Sequence, residues 1–251
     1  MHLLVYGPGR LGTAICGAAT AAGWSTAVVG RPGDTRRAAA PAADVVIDAS
    51  RGDALLGNLE HALAAGNRRF VLATSGWDAD TALVRDRLLE AGAAAVVAPN
   101  LSLGAALFIR LVETAAASFA AARTFEPSIV EWHRAGKADR PSGTARSIAS
   151  RIVAVDPRWA GPDEPPGDTP GRSPLEVFGV RAGGAPGTHL VTFDGAGESV
   201  ELRLTARDRT AYADGALAAA TWLTAERRDA GLHPFDAVVD ALLEAPVPVP
   251  A

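Results

Sequence analysis

The residues best suited to chemistry lie in one segment, residues 131–145, which reads EWHRAGKADRPSGTA. His133 and Lys137 are predicted on a loop that follows a short strand, and a Ser-Gly-Thr sequence at residues 142–144 then opens a helical pattern. Because the first turn of a helix has unpaired backbone N–H groups and a partial positive charge, it suits an anion such as a carboxylate. An imidazole, an ammonium group and such a helix end are together typical of a site for an acidic small molecule.

The same segment also fits an ordinary connection between a strand and a helix. In that interpretation Ser142 or Thr144 only caps the helix, Lys137 is a solvated surface charge and His133 packs locally. The segment taken alone favours neither interpretation.

The composition indicates a globular protein with one large or two modest domains. The chain has 251 residues, 48% of them hydrophobic, and a net charge of −4 without a basic stripe, which argues against nucleic-acid binding. The lone Cys16 excludes an internal disulfide and a cysteine-based zinc site. We expect no metal, because no His/Asp/Glu cluster has ligand spacing. We expect no signal peptide before the first strand and no apolar run long enough to span a membrane, and therefore a cytoplasmic protein without a membrane partner.

A glycine-rich turn near the start of the chain predicts a dinucleotide site. An apolar strand at residues 1–6 precedes the turn and a helical stretch follows it. In the G-x-G-x-x-G pattern the glycines allow a tight turn and a close approach of the backbone to a pyrophosphate on the helix N-terminus. We favour this over a turn without a ligand. The turn consists of Gly7, Pro8, Gly9, Arg10, Leu11 and Gly12.

The end of the second predicted strand bears on the choice of cofactor. Many NAD enzymes place a carboxylate there to bind the ribose hydroxyls, whereas this chain has Gly30 followed by Arg31, with Arg36 and Arg37 nearby. A guanidinium at this point can pair with a 2′-phosphate. We therefore expect NADPH to be preferred, with NADH possible; the alternative is a solvated basic turn that does not discriminate.

Short strands alternate with helices up to residue 101 and predict a parallel sheet covered on both faces. Ligands of such sheets bind outside the carboxyl ends of the strands, so the segments after the fourth and fifth strands should line the cofactor crevice. These segments contain Ala73, Thr74, Ser75, Ala98, Pro99, Asn100 and Leu101.

The pattern changes after residue 101. A long helix, the strand before the loop of His133 and three further strand candidates follow, the last three separated by short turns that indicate a mixed or antiparallel sheet. The fold class is therefore α/β: an N-terminal Rossmann-type doubly wound parallel sheet with a second α+β domain. We expect residues 1–101 and 210–251 to form the dinucleotide-binding domain and residues 102–209 the second domain.

Nearly the whole chain resembles the 4-hydroxy-tetrahydrodipicolinate reductase family, formerly called dihydrodipicolinate reductase, of the lysine and diaminopimelate pathway. The segment at residues 137–145 follows that family's signature K-x-D-A-P-S-G-T-A. The resemblance implies an NAD(P)H-dependent oxidoreductase that reduces a cyclic dicarboxylate, with residues 102–209 binding the substrate and building a homotetramer. The other matching segments are VVIDAS at 45–50, APNLS at 98–102, RAG at 181–183, GTH at 187–189, GE at 197–198 and residues 209–216.

The resemblance also implies roles for individual residues. His133 falls on the general acid position and Lys137 on the second catalytic position. The substrate carboxylate cradle falls on Ser142, Gly143 and Thr144. Residues 7–11 fall on the pyrophosphate loop, whereas residues 73–75 and 98–101 fall on the segments that face the ribose and the nicotinamide.

Several positions depart from the family pattern. Arg134 stands where the family has a second histidine that contacts a substrate carboxylate, a contact that arginine can also make. Arg140 replaces an alanine, Ala73 a glycine and Leu101 a phenylalanine, and the glycine loop is one residue tighter, with Leu11 for a methionine.

These departures leave alternatives open. The chain could reduce a related cyclic imine or amino-acid-derived substrate on the same fold, or bind NADP without catalysis. A binding module needs neither His133 nor Lys137, which argues against the second alternative, and the lack of a basic face argues against a transcriptional or interaction protein. We expect His189 to be structural.

Overall fold

The structure is a computed structural model that describes residues 1–30, 40–98, 100–163 and 171–245. They form two compact units, one of Met1–Leu103 with the chain from Arg209 onward and one of Gly104–Asp208. The strands are β1 (His2–Tyr6), β2 (Ser25–Val29), β3 (Val45–Asp48), β4 (Arg69–Leu72), β5 (Ala94–Val97), β6 (Glu126–His133), β7 (Trp159–Ala160), β8 (Ser173–Pro174), β9 (Glu176–Arg181), β10 (Gly187–Asp194), β11 (Ser199–Ala206) and β12 (Gly231–Pro234). The helices are α1 (Arg10–Ala21), α2 (Gly52–Ala64), α3 (Thr81–Ala91), α4 (Leu103–Ala122), α5 (Gly143–Val155), α6 (Thr210–Ala225) and α7 (Phe235–Glu244).

The first unit is built on a parallel sheet of six strands in the order β12-β5-β4-β3-β1-β2. Its strands are apolar because both faces are covered, and Leu3, Leu4 and Val5 of β1 have no exposed surface. The chain leaves β1 for β2 on one side and returns to β3 on the other, so the switch point lies between β1 and β3. Ligands of doubly wound sheets bind at the carboxyl ends of the strands beside such a point.

The strand β12 is absent from the sequence prediction, which identified five parallel strands. It contains a glycine at its start and a proline at its end, two residues that are depleted in strands. The strand conformation of β12 is stabilised by its pairing with β5, from Gly231 opposite Ala94 to Pro234 opposite Val97, and not by the strand propensity of its own residues.

The second unit is built on a sheet in the order β11-β10-β6-β9. The strands β6 and β9 run parallel, whereas β10 is antiparallel to both β6 and β11. Phe108 of α4, Ile148 of α5, Ile129 of β6 and Val191 of β10 belong to one buried apolar cluster on one face of this sheet. The predicted fold class, a doubly wound parallel sheet with a second α+β part on a mixed sheet, is thereby confirmed.

Two sequence expectations are corrected by these elements. β6 is eight residues long and ends at His133, so this histidine lies on the strand and not on the loop that follows it. The helix α4 has 20 residues and is apolar enough to cross a membrane by length and composition, contrary to the expectation that no apolar run is long enough. Its residues Phe108, Val112 and Ala116 pack in the core of the second unit, as those of a helix in a globular domain do.

The close approach of α6 to the segment after β5 allows a test of the first unit. A Cβ at Gly215 would lie 1.6 Å from the carbonyl oxygen of Leu101, whereas a Cβ at the exposed Gly57 of α2 meets nothing within 4 Å. We expect Gly215→Ala to lower the free energy of unfolding by about 1–3 kcal/mol through overpacking. Gly57→Ala should raise it by about 0.5–1 kcal/mol, because alanine loses less backbone entropy in a helix. Denaturant unfolding of the two variants measures both changes, and shifts of the same sign would contradict the packing.

Candidate active site

The glycine-rich turn between β1 and α1 has the geometry of an anion site. Gly7 has a φ of +100°, and a Cβ there would lie 2.6 Å from the carbonyl oxygen of Ala49. A Cβ at Gly12 would lie 2.0 Å from the carbonyl oxygen of Gly7, so both positions require glycine. The helix begins at Arg10 with Gly9 as its N-cap, and no side chain of the described residues caps its first turn. The amides of this turn therefore fit a pyrophosphate, as the sequence predicts.

The predicted cofactor segment after β4 is tied to the end of β3. The Thr74 hydroxyl donates to a carboxylate oxygen of Asp48 at 2.7 Å, and the same carboxylate accepts from the Ser50 hydroxyl at 2.6 Å and the Asn58 amide at 2.8 Å. The Ala73 amide donates to the Asp48 carbonyl oxygen at 2.8 Å. The side chain of Thr74 thus holds two loops together, and the exposed Ser75 beside it is the more accessible residue.

The predicted cofactor segment after β5 lies at the same edge of the sheet. The Asn100 side-chain oxygen accepts from the Ser102 amide at 2.9 Å, Ala98 is partly exposed and Leu101 is buried. The structure therefore brings the segments after β1, β4 and β5 to the carboxyl edge of one sheet. Two further predicted cofactor residues, Arg31 and Pro99, lie outside the described residues.

A tight turn follows His133 in the second unit and carries Arg134 and Lys137. The Lys137 amide donates to the Arg134 carbonyl oxygen at 3.1 Å. The Lys137 ammonium lies 2.8 Å from the Asp139 carboxylate. Burial is the largest influence on the pKa of Asp139 and raises it, but the hydrogen bond and the charge of Lys137 together with two backbone N–H groups outweigh burial, so the pKa is lowered overall. Lys137 is therefore held in place by an ion pair, while Arg134 is exposed.

Ser142 is the N-cap of α5. This is the role that the residue has when the segment is interpreted as an ordinary connection between a strand and a helix. Its hydroxyl accepts from the Ala145 amide at 3.2 Å and lies 3.2 Å from Nε2 of His189. The Ser142 side chain is buried, so its hydroxyl contacts the first turn of α5 and His189 of β10 and not the solvent. Gly143 is exposed and Thr144 partly so, which leaves the first turn of the helix accessible at these two residues.

The centre of this region is Glu131, which is fully buried. One of its carboxylate oxygens, Oε1, accepts from the Ser142 amide at 3.0 Å and from the Arg181 guanidinium at 2.7 Å. The other, Oε2, lies 3.2 Å from Nε2 of His133 and 3.5 Å from Nε2 of His189. One carboxylate therefore joins β6, β9, β10 and the start of α5.

Glu131 and Arg181 are functional candidates that the sequence motifs do not predict, although both carry a detectable signal. Glu131 and His133 are two residues apart on a strand, and that period places their side chains on the same face. In the parallel pairing His133 lies opposite Arg181, and in the antiparallel pairing Glu131 lies opposite His189. Only the register of the three strands shows that the four polar side chains meet.

The charge states in this cluster follow from burial and from its neighbours. Burial raises the pKa of Glu131, but the hydrogen bonds from Ser142 and Arg181 outweigh it, so the pKa is lowered and Glu131 is ionised at neutral pH. Burial lowers the pKa of His133, and Lys137 and Arg181 add to this effect while Glu131 opposes it. For His189, burial and then the proximity of His133 lower the pKa to about 4, so this ring is neutral.

Glu131, His133 and His189 also satisfy the distances of a metal site, since one ligand atom of each lies within 4.8 Å of the others. The Arg181 guanidinium, 2.7 Å from Glu131, already supplies a fixed positive charge. A divalent cation would have to bind against that charge, so we describe the cluster as hydrogen-bonded. The absence of a metal stays a prediction.

The buried neutral His189 makes stability depend on pH. Its pKa of about 4 in the folded protein lies below its ordinary value of 6.5, so the unfolded chain takes up the proton first. The full contribution of neutral His189 to the free energy of unfolding is therefore present above pH 6.5. It is lost as the pH falls from 6.5 toward 4, by at most about 1.4 kcal/mol per pH unit for one proton. The pKa of His133 is also lowered, and this residue contributes in the same sense. We expect His189→Gln to reduce the slope of unfolding free energy against pH in this window, and an unchanged slope would contradict the assignment.

Several known proteins are similar to this chain in sequence. The family described as dihydrodipicolinate reductase, C-terminus, matches residues 104–238. The 4-hydroxy-tetrahydrodipicolinate reductase of Archaeoglobus fulgidus is 37% identical over 187 residues, which cover 72% of this chain and 70% of that protein. The enzyme of the same name from Cutibacterium acnes is 31% identical over 224 residues, which cover 83% of this chain and 87% of that protein.

The fold is similar to that of a solved structure, the dipicolinate-bound dihydrodipicolinate reductase from Paenisporosarcina sp. TG-14. The two chains superpose with a TM-score of 0.67 at 20% sequence identity, over 93% of this chain and 97% of the other. Together with the sequence matches, this confirms the resemblance carried by the signature at residues 137–145: the chain belongs to the dihydrodipicolinate reductase family.

Proposed function

We propose that this protein catalyses the NAD(P)H-dependent reduction of 4-hydroxy-tetrahydrodipicolinate to tetrahydrodipicolinate, a step of lysine and diaminopimelate biosynthesis. Its family membership supports the reaction. The observation that carries the proposal in this chain is the pairing of His133 with the buried Glu131 beside the turn of Lys137. We expect the enzyme in the cytoplasm, with a small dicarboxylate as its substrate and no nucleic-acid or membrane partner.

The reaction replaces a C–OH group of the substrate by C–H, so a hydride and a proton enter and one water leaves. A bound nicotinamide cofactor supplies the hydride. The turn of Gly7 and Gly9 with the first amides of α1 would hold its pyrophosphate, because both the close approach at Gly7 and the uncapped helix end fit that group. The remaining tasks, proton transfer and binding of two carboxylates, fall to the second unit.

His133 is suited to the proton transfer because an imidazole donates and accepts protons near neutral pH. Lys137 and the accessible first turn of α5 at Gly143 and Thr144 offer positive charge and backbone N–H groups to a carboxylate. Arg134 is exposed and can bind a second carboxylate through two parallel hydrogen bonds. Because Arg134 stands where the family has a histidine, a related cyclic imine is the second candidate substrate.

A coupled assay tests the reaction. A dihydrodipicolinate synthase generates the substrate, the purified protein is added, and consumption of NADPH is followed by absorbance. We expect consumption that depends on both proteins. A cofactor-binding protein that turns over no synthase product, but does reduce another cyclic imine, would favour the second candidate.

The roles of His133 and Lys137 can be separated by mutation. We expect His133→Ala to lower kcat by roughly two orders of magnitude or more, the usual contribution of a positioned proton donor. Lys137→Ala should be severely impaired too while its affinity for NADPH, measured by fluorescence titration, is kept, because Lys137 contacts substrate and not cofactor. Wild-type turnover in the first variant, or a parallel loss of NADPH binding in the second, would contradict these roles.

The preference for NADPH is a further part of the proposal and rests on Arg31. A charge-assisted hydrogen bond from Arg31 to the 2′-phosphate is worth on the order of 1.5–3 kcal/mol, which corresponds to a roughly ten- to hundredfold preference. We expect Arg31→Ala to reduce kcat/KM for NADPH and to leave that for NADH nearly unchanged. Equal efficiencies of the two cofactors in the wild type would refute the preference.

We also propose a homotetramer formed through the outer face of the mixed sheet. Register places Val130 and Trp132 of β6, Phe178 and Val180 of β9 and Leu190 of β10 on this face. Phe178 is 56% exposed, and an apolar patch of this kind on a sheet is typical of a contact between subunits. The family resemblance supplies the number of subunits.

We expect Phe178→Glu to dissociate the assembly at micromolar concentration in a sedimentation experiment. Leu111→Glu serves as the control, because Leu111 is similarly exposed but lies on α4, away from the sheet face. A wild-type protein that sediments as a monomer would exclude the tetramer.

A further inference from the structure

The Glu131 carboxylate contacts both the proposed proton donor and the start of the helix proposed to bind substrate. We propose that Glu131 is a positioning residue that fixes the tautomer of His133, so that Nδ1 of this ring is the atom that delivers the proton. The carboxylate of Glu131 also fixes the start of α5. It thereby holds the proton donor and the residues proposed to bind the substrate carboxylate in a fixed relative position. This inference rests on the proposed function, in which His133 is the donor.

The tautomer follows from the chemistry of the partner. An ionised carboxylate accepts hydrogen bonds and cannot donate them. Since Oε2 of Glu131 lies 3.2 Å from Nε2 of His133, the ring must carry its hydrogen on Nε2 when it is neutral. Protonation then takes place at Nδ1, and the proton that leaves the imidazolium is the one on Nδ1.

The lack of a side chain at Gly187 keeps one neighbour away from the Nδ1 edge of the ring. A Cβ at Gly187, at the start of β10, would lie 3.4 Å from Nδ1 and 3.2 Å from Cε1 of His133. The 3.2 Å distance is tighter than an ordinary contact, so a side chain at Gly187 would crowd this edge of the ring. The opposite edge is occupied by Glu131, and the ring of His189 packs edge-on against His133 with centroids 5.3 Å apart. Nε2 of the ring is therefore held by Glu131, while Nδ1 makes no hydrogen bond to the part of the chain that the structure describes, and 13% of the side chain is exposed.

The other carboxylate oxygen fixes the helix. Oε1 accepts from the amide of Ser142, the N-cap residue of α5, at 3.0 Å. It also accepts from Arg181 at 2.7 Å, and this approach depends on Gly179, since a Cβ there would lie 3.1 Å from Oε1 and 3.3 Å from Nη1 of Arg181. A displacement of the carboxylate would thus move the proton donor and the first turn of α5 together.

The charges around His133 explain why the positioning residue is an acid. Arg181 on β9 and Lys137 on the following turn are cationic, and His189 on β10 is neutral, so they do not stabilise an imidazolium. Glu131 supplies the negative charge that favours proton uptake by His133. An amide at position 131 would remove this charge and would also present an N–H group to one of its partners.

The test is Glu131→Gln, with Glu126→Gln as the matched control. Glu126 lies on the same strand but is exposed. When the new amide oxygen faces Arg181 and the Ser142 amide, its NH2 group donates to Nε2 of His133 and forces the hydrogen to Nδ1. We expect kcat of the coupled reaction to fall at least tenfold in Glu131→Gln, and the limb of its pH profile that requires protonated His133 to move to lower pH. Affinity for NADPH should remain at the wild-type value, and the control should match the wild type throughout.

A loss of activity without a shift of the pH profile would show a merely structural role and would overturn the inference. Should Glu131→Gln fail to fold, the tautomer is measured in the wild type by nitrogen–carbon correlation NMR of the His133 ring at high pH. Hydrogen on Nε2 is expected, and hydrogen on Nδ1 would overturn the inference. A wild type inactive in the coupled assay refutes the proposed function, whereas activity with a wild-type pH profile in Glu131→Gln refutes only the role of Glu131.

Discussion

The second unit is organised around one buried negative charge. Moving an isolated carboxylate out of water is very costly, and the cost is met only when the charge is paired and its lone pairs are used. Glu131 has no exposed surface and is compensated by a guanidinium, a backbone amide and an imidazole. Because these partners come from β6, β9 and α5, the charge can be buried only when all three elements are in place. Local folding and the assembly of the site are therefore the same event.

A similar device holds the loops of the first unit. The buried Asp48 carboxylate, at the end of β3, binds the hydroxyls of Ser50 and Thr74 and the amide of Asn58. Thr74 follows β4, so the polar contacts cross between two neighbouring strands at the edge where the cofactor is proposed to bind. In both units a carboxylate at or near the end of a strand accepts a hydrogen bond from a backbone N–H group of the irregular segment that follows. The Ser50 amide donates to Asp48, and the Ser142 amide donates to Glu131.

The sequence predicts well what depends on local pattern. The parallel strands of apolar residues, the glycine turn before α1 and the start of α5 at Ser142 all follow from spacing and from the few residues able to occupy such turns. It predicts poorly what depends on pairing. The strand β12 has weak strand propensity of its own. The sequence pattern predicts that the strand before the signature ends at Glu131, whereas β6 extends two residues further because both β9 and β10 pair along it.

The residues of the candidate site differ in the same way, because some are predicted by local pattern and others depend on strand pairing. His133 and Lys137 are predicted because they lie beside or within a contiguous signature, residues 137–145. Glu131 lies beside that signature, but its importance depends on Arg181, which is 50 residues away, and on His189, which is 58 residues away from Glu131 in a strand of the opposite direction. Such contacts are set by register, which no short stretch of sequence specifies.

The pairing of β6 on both sides restricts insertions and deletions within this strand. Side chains alternate between the two faces, so Glu131 and His133 share the inner face with Ile129 of the core, while Trp132 points to the other side. Inserting or deleting a single residue before Glu131 would exchange the two faces, placing Trp132 in the polar cluster and exposing an acid among apolar side chains. Natural relatives should therefore vary the length of the chain at its turns and leave the count of residues from Ile129 to His133 unchanged.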